Sequence, residues 1–146
     1  MWTEIRTEQD IDSFMVQFNY FHDSCIKEIR YISGAYVDLD LSMHAVNDNR
    51  NLRMIIQRQD INPTTIELEF SGLLKLNLEP VGEQYSCELL ENTMFIENEL
   101  VYWGDSDGFA SKRDNYHGTW LCSKKAKWRI ADEYTGKEET YGLSKF

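Results

Sequence analysis

From Thr65 to Leu78 the chain alternates apolar and polar residues almost without interruption. Ile66, Leu68, Phe70, Gly72, Leu74, Leu76 and Leu78 fall on one face, and Glu67, Glu69, Ser71, Lys75 and Asn77 on the other. A period of two over this length fits a half-buried β-strand and excludes an amphipathic helix. So long a strand needs partners on its edges, which turns the rest of the chain into a search for strands. Gly72 in its middle predicts a bulge or bend, and Pro80 with Gly82 predicts a turn after it.

Candidate partners are frequent. Val37, Leu39, Leu41, Met43 and Ala45 alternate with Asp38, Asp40, Ser42 and His44, which predicts a second half-buried strand. Asn47 to Arg50 is turn chemistry, and Leu52, Met54 and Ile56 resume the alternation, so a hairpin is expected there. Ile26 to Ser33 reads as a strand closed by Gly34. Thr93–Ile96 and Leu100–Trp103 read as strands around an Asn98-Glu99 turn, and residues 104–118 as the longest loop. Trp120, Cys122, Ala126, Trp128 and Ile130 share a face that Lys124 interrupts, which predicts a bulged or solvent-accessible middle. Cys87 to Glu91 fits a helix and an extended chain equally well.

A helical period occurs over residues 7–18. Thr7 can cap, Asp10 follows three residues on, and Ile11, Phe14, Met15 and Phe18 recur at i, i+3, i+4, i+7. Asn19, tolerant of the left-handed conformation, can end the helix. No βαβ rhythm is present. The expected architecture is therefore α+β and mainly β, one domain over 1–146. An N-terminal helix packs on a curved antiparallel sheet of about seven strands, a sandwich or a partly open barrel.

Composition narrows the function. The chain carries 15 Lys+Arg against 25 Asp+Glu, a net charge of −10, which argues against nucleic acid as partner. No apolar run approaches the ~20 residues that cross a bilayer, so no membrane partner is expected. The opening Met1-Trp2-Thr3-Glu4-Ile5-Arg6 has no signal-peptide pattern. The three cysteines, Cys25, Cys87 and Cys122, cannot all pair and read as buried thiols, so a cytoplasmic location is expected. Residues 1–104 carry a net −11 and residues 105–146 a net +1. On one account Lys125, Lys127 and Arg129 neutralise ladders such as Asp38/Asp40 or Glu67/Glu69 across the sheet. On the other, Asp38, Asp40, Glu67 and Glu69 form an acidic face for a basic partner.

Candidate sites are sparse. His22-Asp23 could bind a metal or orient an imidazole, against a structural reading as a turn and a helix anchor. Asp105 and Asp107 stand two apart on a tight loop, but the glycine comes too early for an EF-hand and no Glu closes it. His117 lies in the same loop, and the scattered histidines lack zinc-ligand spacing. Trp103, with Trp120 and Trp128, could line a ligand cavity or simply fill the core. No nucleophile elbow, P-loop or dinucleotide fingerprint is present. The reading is non-enzymatic, with no catalytic residue, no cofactor and no resident metal.

Phe21-His22-Asp23-Ser24-Cys25-Ile26 resembles a segment of small uncharacterised bacterial proteins, some of them grouped with immunity proteins of toxin systems. Tyr102-Trp103-Gly104-Asp105-Ser106 is also similar to such proteins. The resemblance implies a small, cytoplasmic, β-rich, non-enzymatic protein. The leading expectation is a binding protein that turns its acidic surface toward a basic, toxin-like protein. The alternatives are a ligand- or metal-binding β domain using the 104–118 loop with His22 and Asp23, and a homo-oligomer joined through the edge strand 26–33.

Overall fold

A computed structural model describes residues 1–109 and 115–142. Its nine strands are β1 (Thr3–Ile5), β2 (Ser24–Ile32), β3 (Tyr36–Val37), β4 (Met43–His44), β5 (Asn51–Arg58), β6 (Thr65–Asn77), β7 (Thr93–Glu97), β8 (Leu100–Gly104) and β9 (Trp120–Ile130). Seven of them form one antiparallel sheet in the order β2-β5-β6-β9-β8-β7, with β1 also on β9; β3 and β4 pair apart from it. The sheet is open, and the architecture is the mainly β one expected. Strand β9 is its axis. β6 follows one edge from Trp120 to Ile130, while β8 (at 120–123) and β1 (at 126–128) lie end to end on the other.

Helix α1 (Glu8–Gln17) starts where the sequence places it. Thr7 accepts from the Asp10 N–H at 3.1 Å, and the Asp10 carboxylate accepts from the Thr7 N–H at 3.0 Å, a complete capping box. The end is abrupt. Asn19, Tyr20 and Phe21 all take positive φ (51°, 54° and 57°), a left-handed turn that throws the chain back toward the sheet. Ile11, Phe14, Met15 and Phe18 are thereby buried on Leu52, Met54 and Ile56 of β5 and Ile66, Leu68 and Phe70 of β6. Each such side chain contributes about 1.5–3 kcal/mol by leaving water.

In β6 the predicted face holds from Ile66 to Phe70 and again at Leu76, but not at Leu74 or Leu78. Gly72 has φ 64°, and the register with β9 slips between Leu73 and Lys75, so Leu73 turns inward while Leu74 and Leu78 are exposed. The aliphatic stem of Lys124 lies over Gly72, which explains a lysine in the middle of β9. The predicted 37–45 strand is corrected more severely. Only two-residue strands form there, and β5 pairs with β2 and β6 instead of with residues 37–45.

The opposite face of the sheet is charged and covered. Glu67 pairs with Arg129 at 2.9 Å, and Glu69 with Arg53 at 3.0 Å and Lys127 at 3.4 Å, in direct cross-strand register. The indole of Trp2 stacks over Arg53, Lys127 and Arg129. The C-terminal segment 131–142 closes the rest. The amide of Tyr141 donates to Glu28 at 2.7 Å, the Tyr141 hydroxyl donates to Glu67, and Lys27 donates to the Tyr134 carbonyl at 3.0 Å.

Burial pushes the Glu28 carboxyl up, but the N–H groups of Tyr141 and Thr140 pull it down further, so it titrates below its ordinary 4.5. A carboxyl depressed in the folded state supplies stability that is complete above its unfolded pKa and is lost as pH falls through the folded one. The Thr140 and Tyr141 amides should therefore be protected from exchange above the ordinary carboxylate range and lose protection below it, ahead of the sheet. Intrinsic-rate-corrected amide exchange across an acid titration checks this. Protection that persists until the whole molecule unfolds would sink the idea.

Candidate functional site

Among the described residues the densest run of exposed large apolar side chains lies on the β3–β4 arm. Its base is built by Ser33 and Gly34. The Ser33 carbonyl accepts from the N–H groups of Asn49 and Arg50, both at 3.0 Å, which clips the two legs together. Gly34 has φ 100°, and a Cβ there would lie 2.5 Å from Asp48 Oδ1 and 2.8 Å from Asn49 N, so only glycine fits.

The tip is a turn over Asp38–Ser42. Asp38 N–H donates to Ser42 O, and Leu41 N–H to Asp38 O, each at 2.9 Å, with Leu41 at φ 68°. The Asp40 carboxylate accepts from the Ser42 N–H at 3.0 Å, and this bond holds its carboxyl below the usual range. On one side Tyr36 stacks on His44 at 4.4 Å, and His44 Nε2 meets Asp38 Oδ2 at 2.6 Å.

Tyr36, Val37, Leu41, Met43 and Val46 are exposed, and Leu39 is wholly so at 105%. The alternation that reads as a half-buried strand is therefore unburied on both faces. Asp38 and Asp40 beside Ser42 prefer turn hydrogen bonds to a ladder, and that preference ends the strand after two residues. Between Tyr31 and Asn49 the chain has no Lys or Arg, so Asp38, Asp40 and Asp48 leave the arm acidic, with the His44 imidazole beside Asp38.

The four acidic candidates thus separate. Asp38 and Asp40 sit on the exposed arm, whereas Glu67 and Glu69 are buried and paired with the basic ladder of β9, as the cross-strand account expects. His22 and Asp23 do meet, at 3.1 Å from Nδ1 to Oδ2, and both are half exposed. They precede β2, and φ 57° at Asp23 brings together side chains that a strand would send apart.

Asp105 is a loop anchor. It accepts from the Thr119 N–H at 3.0 Å and from the Tyr116 hydroxyl. Burial, then that bond, push the Tyr116 phenol well above its ordinary 10.0, so it stays a donor. Asp107 and His117 are exposed, and Trp103 is fully inside the core. Residues 110–114 of the expected 104–118 loop lie outside the described residues. Among the described residues no three His, Cys, Asp or Glu side chains converge as a metal-ligand group. The cysteine reading needs correcting: only Cys122 is buried, Cys25 is half-buried and Cys87 exposed.

The arm is what sequence reasoning missed. The available signal was the coincidence of a cation-free stretch with six large apolar residues and paired turn aspartates. No helix of the described residues is long and apolar enough to cross a membrane. No protein-family model matches the chain, and neither a curated protein nor a solved structure is significantly similar to it.

Proposed function

We propose that the chain is a non-catalytic binding protein that docks a basic protein, of the toxin-like kind the sequence suggests, through the β3–β4 arm. The observation that carries this reading is the exposure of six large apolar side chains on an element that contributes nothing to the core. Monomeric proteins rarely leave a contiguous apolar patch in water without a use for it. The aspartates among those side chains select a cationic partner and accelerate its approach, while the apolar groups supply the affinity.

Capture from host lysate at low and moderate salt tests the reading. Leu39→Ser and Leu41→Ser should each weaken retention of a single basic protein by about 2 kcal/mol, roughly 30-fold, with stability changed by less than ~0.5 kcal/mol. Asp38→Asn with Asp40→Asn should remove most of the salt dependence. Retention that ignores both sets of substitutions would overturn the proposal.

A second reading rests on β2, which is an edge strand continuous with the arm and exposes Tyr31 and Ile32. Pairing of two copies along that edge would appear as a dimer in sedimentation velocity and would be broken by a lysine at Ile32.

A further inference from the structure

The connection from Leu78 to Asn92 leaves β6 and returns to β7, and on its way it touches β2. Ser24 and Leu89 exchange both backbone hydrogen bonds, 2.6 Å from Leu89 N–H to Ser24 O and 3.4 Å in reverse. A bonded antiparallel pair of this kind holds its Cα atoms about 5.5 Å apart. Cys25 follows Ser24, and Cys87 stands two residues before Leu89. Residues 86–88 are not part of a ladder, so the side chain of Cys87 is not obliged to alternate away from Cys25. Both cysteines line one cavity of about 460 Å³, beside Gln57, Arg58 and Thr64.

The geometry points to a reversible dithiol–disulfide couple between Cys25 and Cys87, an oxidative modification site that fastens the Leu78–Asn92 connection to the edge of β2. Disulfides need Cα atoms within about 7 Å, and the Ser24–Leu89 bridge holds the two backbones near that range. Cys122 cannot compete. It is buried on β9, three strands across the sheet from β2 and at the opposite end of the β6–β9 ladder from Cys25, on the order of 30 Å away.

The two thiols divide the work. Cys87 is exposed, whereas burial and then the neighbouring Cys87 raise the Cys25 thiol above its ordinary 9.0. The Cys87 thiolate attacks one sulfur of a small-molecule disulfide such as oxidised glutathione and expels the first small thiolate. The Cys25 thiol then loses its proton to water and attacks the Cys87 sulfur, expelling the second. Two thiol protons leave the protein, and its two electrons reduce the oxidant to two thiols. Closure encloses the 61 residues between the two cysteines, so most of its effect falls on the unfolded state.

The test equilibrates the full chain in mixtures of oxidised and reduced glutathione, quenches with an alkylating agent, and maps peptides without reduction. A single Cys25–Cys87 linked peptide is expected, with Cys122 alkylated only after denaturation. Oxidation should raise Tm by about 5–10 °C and dithiothreitol should reverse it. Cys122→Ala should keep the linkage, and Cys87→Ser should abolish both the linkage and the Tm shift. A mixed disulfide persisting at Cys87 while Cys25 stays alkylatable would overturn the inference, as would linkage to Cys122 or crosslinking only between copies.

Discussion

Phe14→Ala is expected to lower the free energy of unfolding by about 4 kcal/mol, a large share of the ~5–15 kcal/mol available to a domain of this size. The Phe14 ring is buried at the centre of an aromatic cluster. It lies 5.4 Å from Phe18, 5.2 Å from Phe21 and 5.2 Å from Trp128, centroid to centroid. Two of those rings belong to the helix and its left-handed exit turn, and the third to β9. Removing Phe14 therefore loses the transfer free energy of one ring and also opens a void between the helix and the sheet. Urea denaturation should show a lower midpoint with an unchanged slope, and Phe14→Leu should recover most of the loss. A cost below ~1 kcal/mol would mean that the helix is held by something other than this cluster.

Glu67→Ala should cost about 3 kcal/mol, and Glu69→Ala about 1 kcal/mol. The difference follows from hydration. Glu67 is only 1% exposed and lies between Arg129 and the Tyr141 hydroxyl, so its removal leaves a partly buried guanidinium facing an empty acceptor position. Glu69 is nearly as buried, but its partners Arg53 and Lys127 are more than a third exposed and water replaces the lost carboxylate. In an Arg129→Ala background the Glu67→Ala substitution should cost much less, the signature of direct coupling. Equal costs at Glu67 and Glu69 would show that burial of the partner is not what decides the energy.

The helix and the long strand were legible because their signals are local. A capping box fixes a helix start within four residues, and Thr7 with Asp10 supplied one. The β7–β8 hairpin was legible for the same reason: Asn98 and Glu99 take φ 52° and 65° in the two-residue turn expected of them. What could not be read was partnership. The alternation at 37–45 is as regular as that at 65–78, yet only the latter is covered by a helix, and period alone does not say which strand will be covered. Trp2, Cys25 with Cys87, and Tyr141 were equally silent, because each acquires its role from a residue far away in sequence. Leu74 and Leu78 were misplaced by the register slip between Leu73 and Lys75, which a period of two does not announce, although Leu76 still packs against the core.

The position of β9 bears on the order in which the chain can fold during synthesis. β2, β5 and β6 are consecutive neighbours and can assemble as soon as residue 77 has left the ribosome. β1 cannot. Among the described residues its strand partner is the Ala126–Trp128 stretch of β9, so β1 waits for a strand made after every other strand of the sheet. Trp128, which the helix needs for its aromatic cluster, arrives in the same stretch. A nascent chain therefore carries its amphipathic helix and β1 half-docked until β9 emerges, with apolar surface open to chaperones, and arrival of β9 completes both at once.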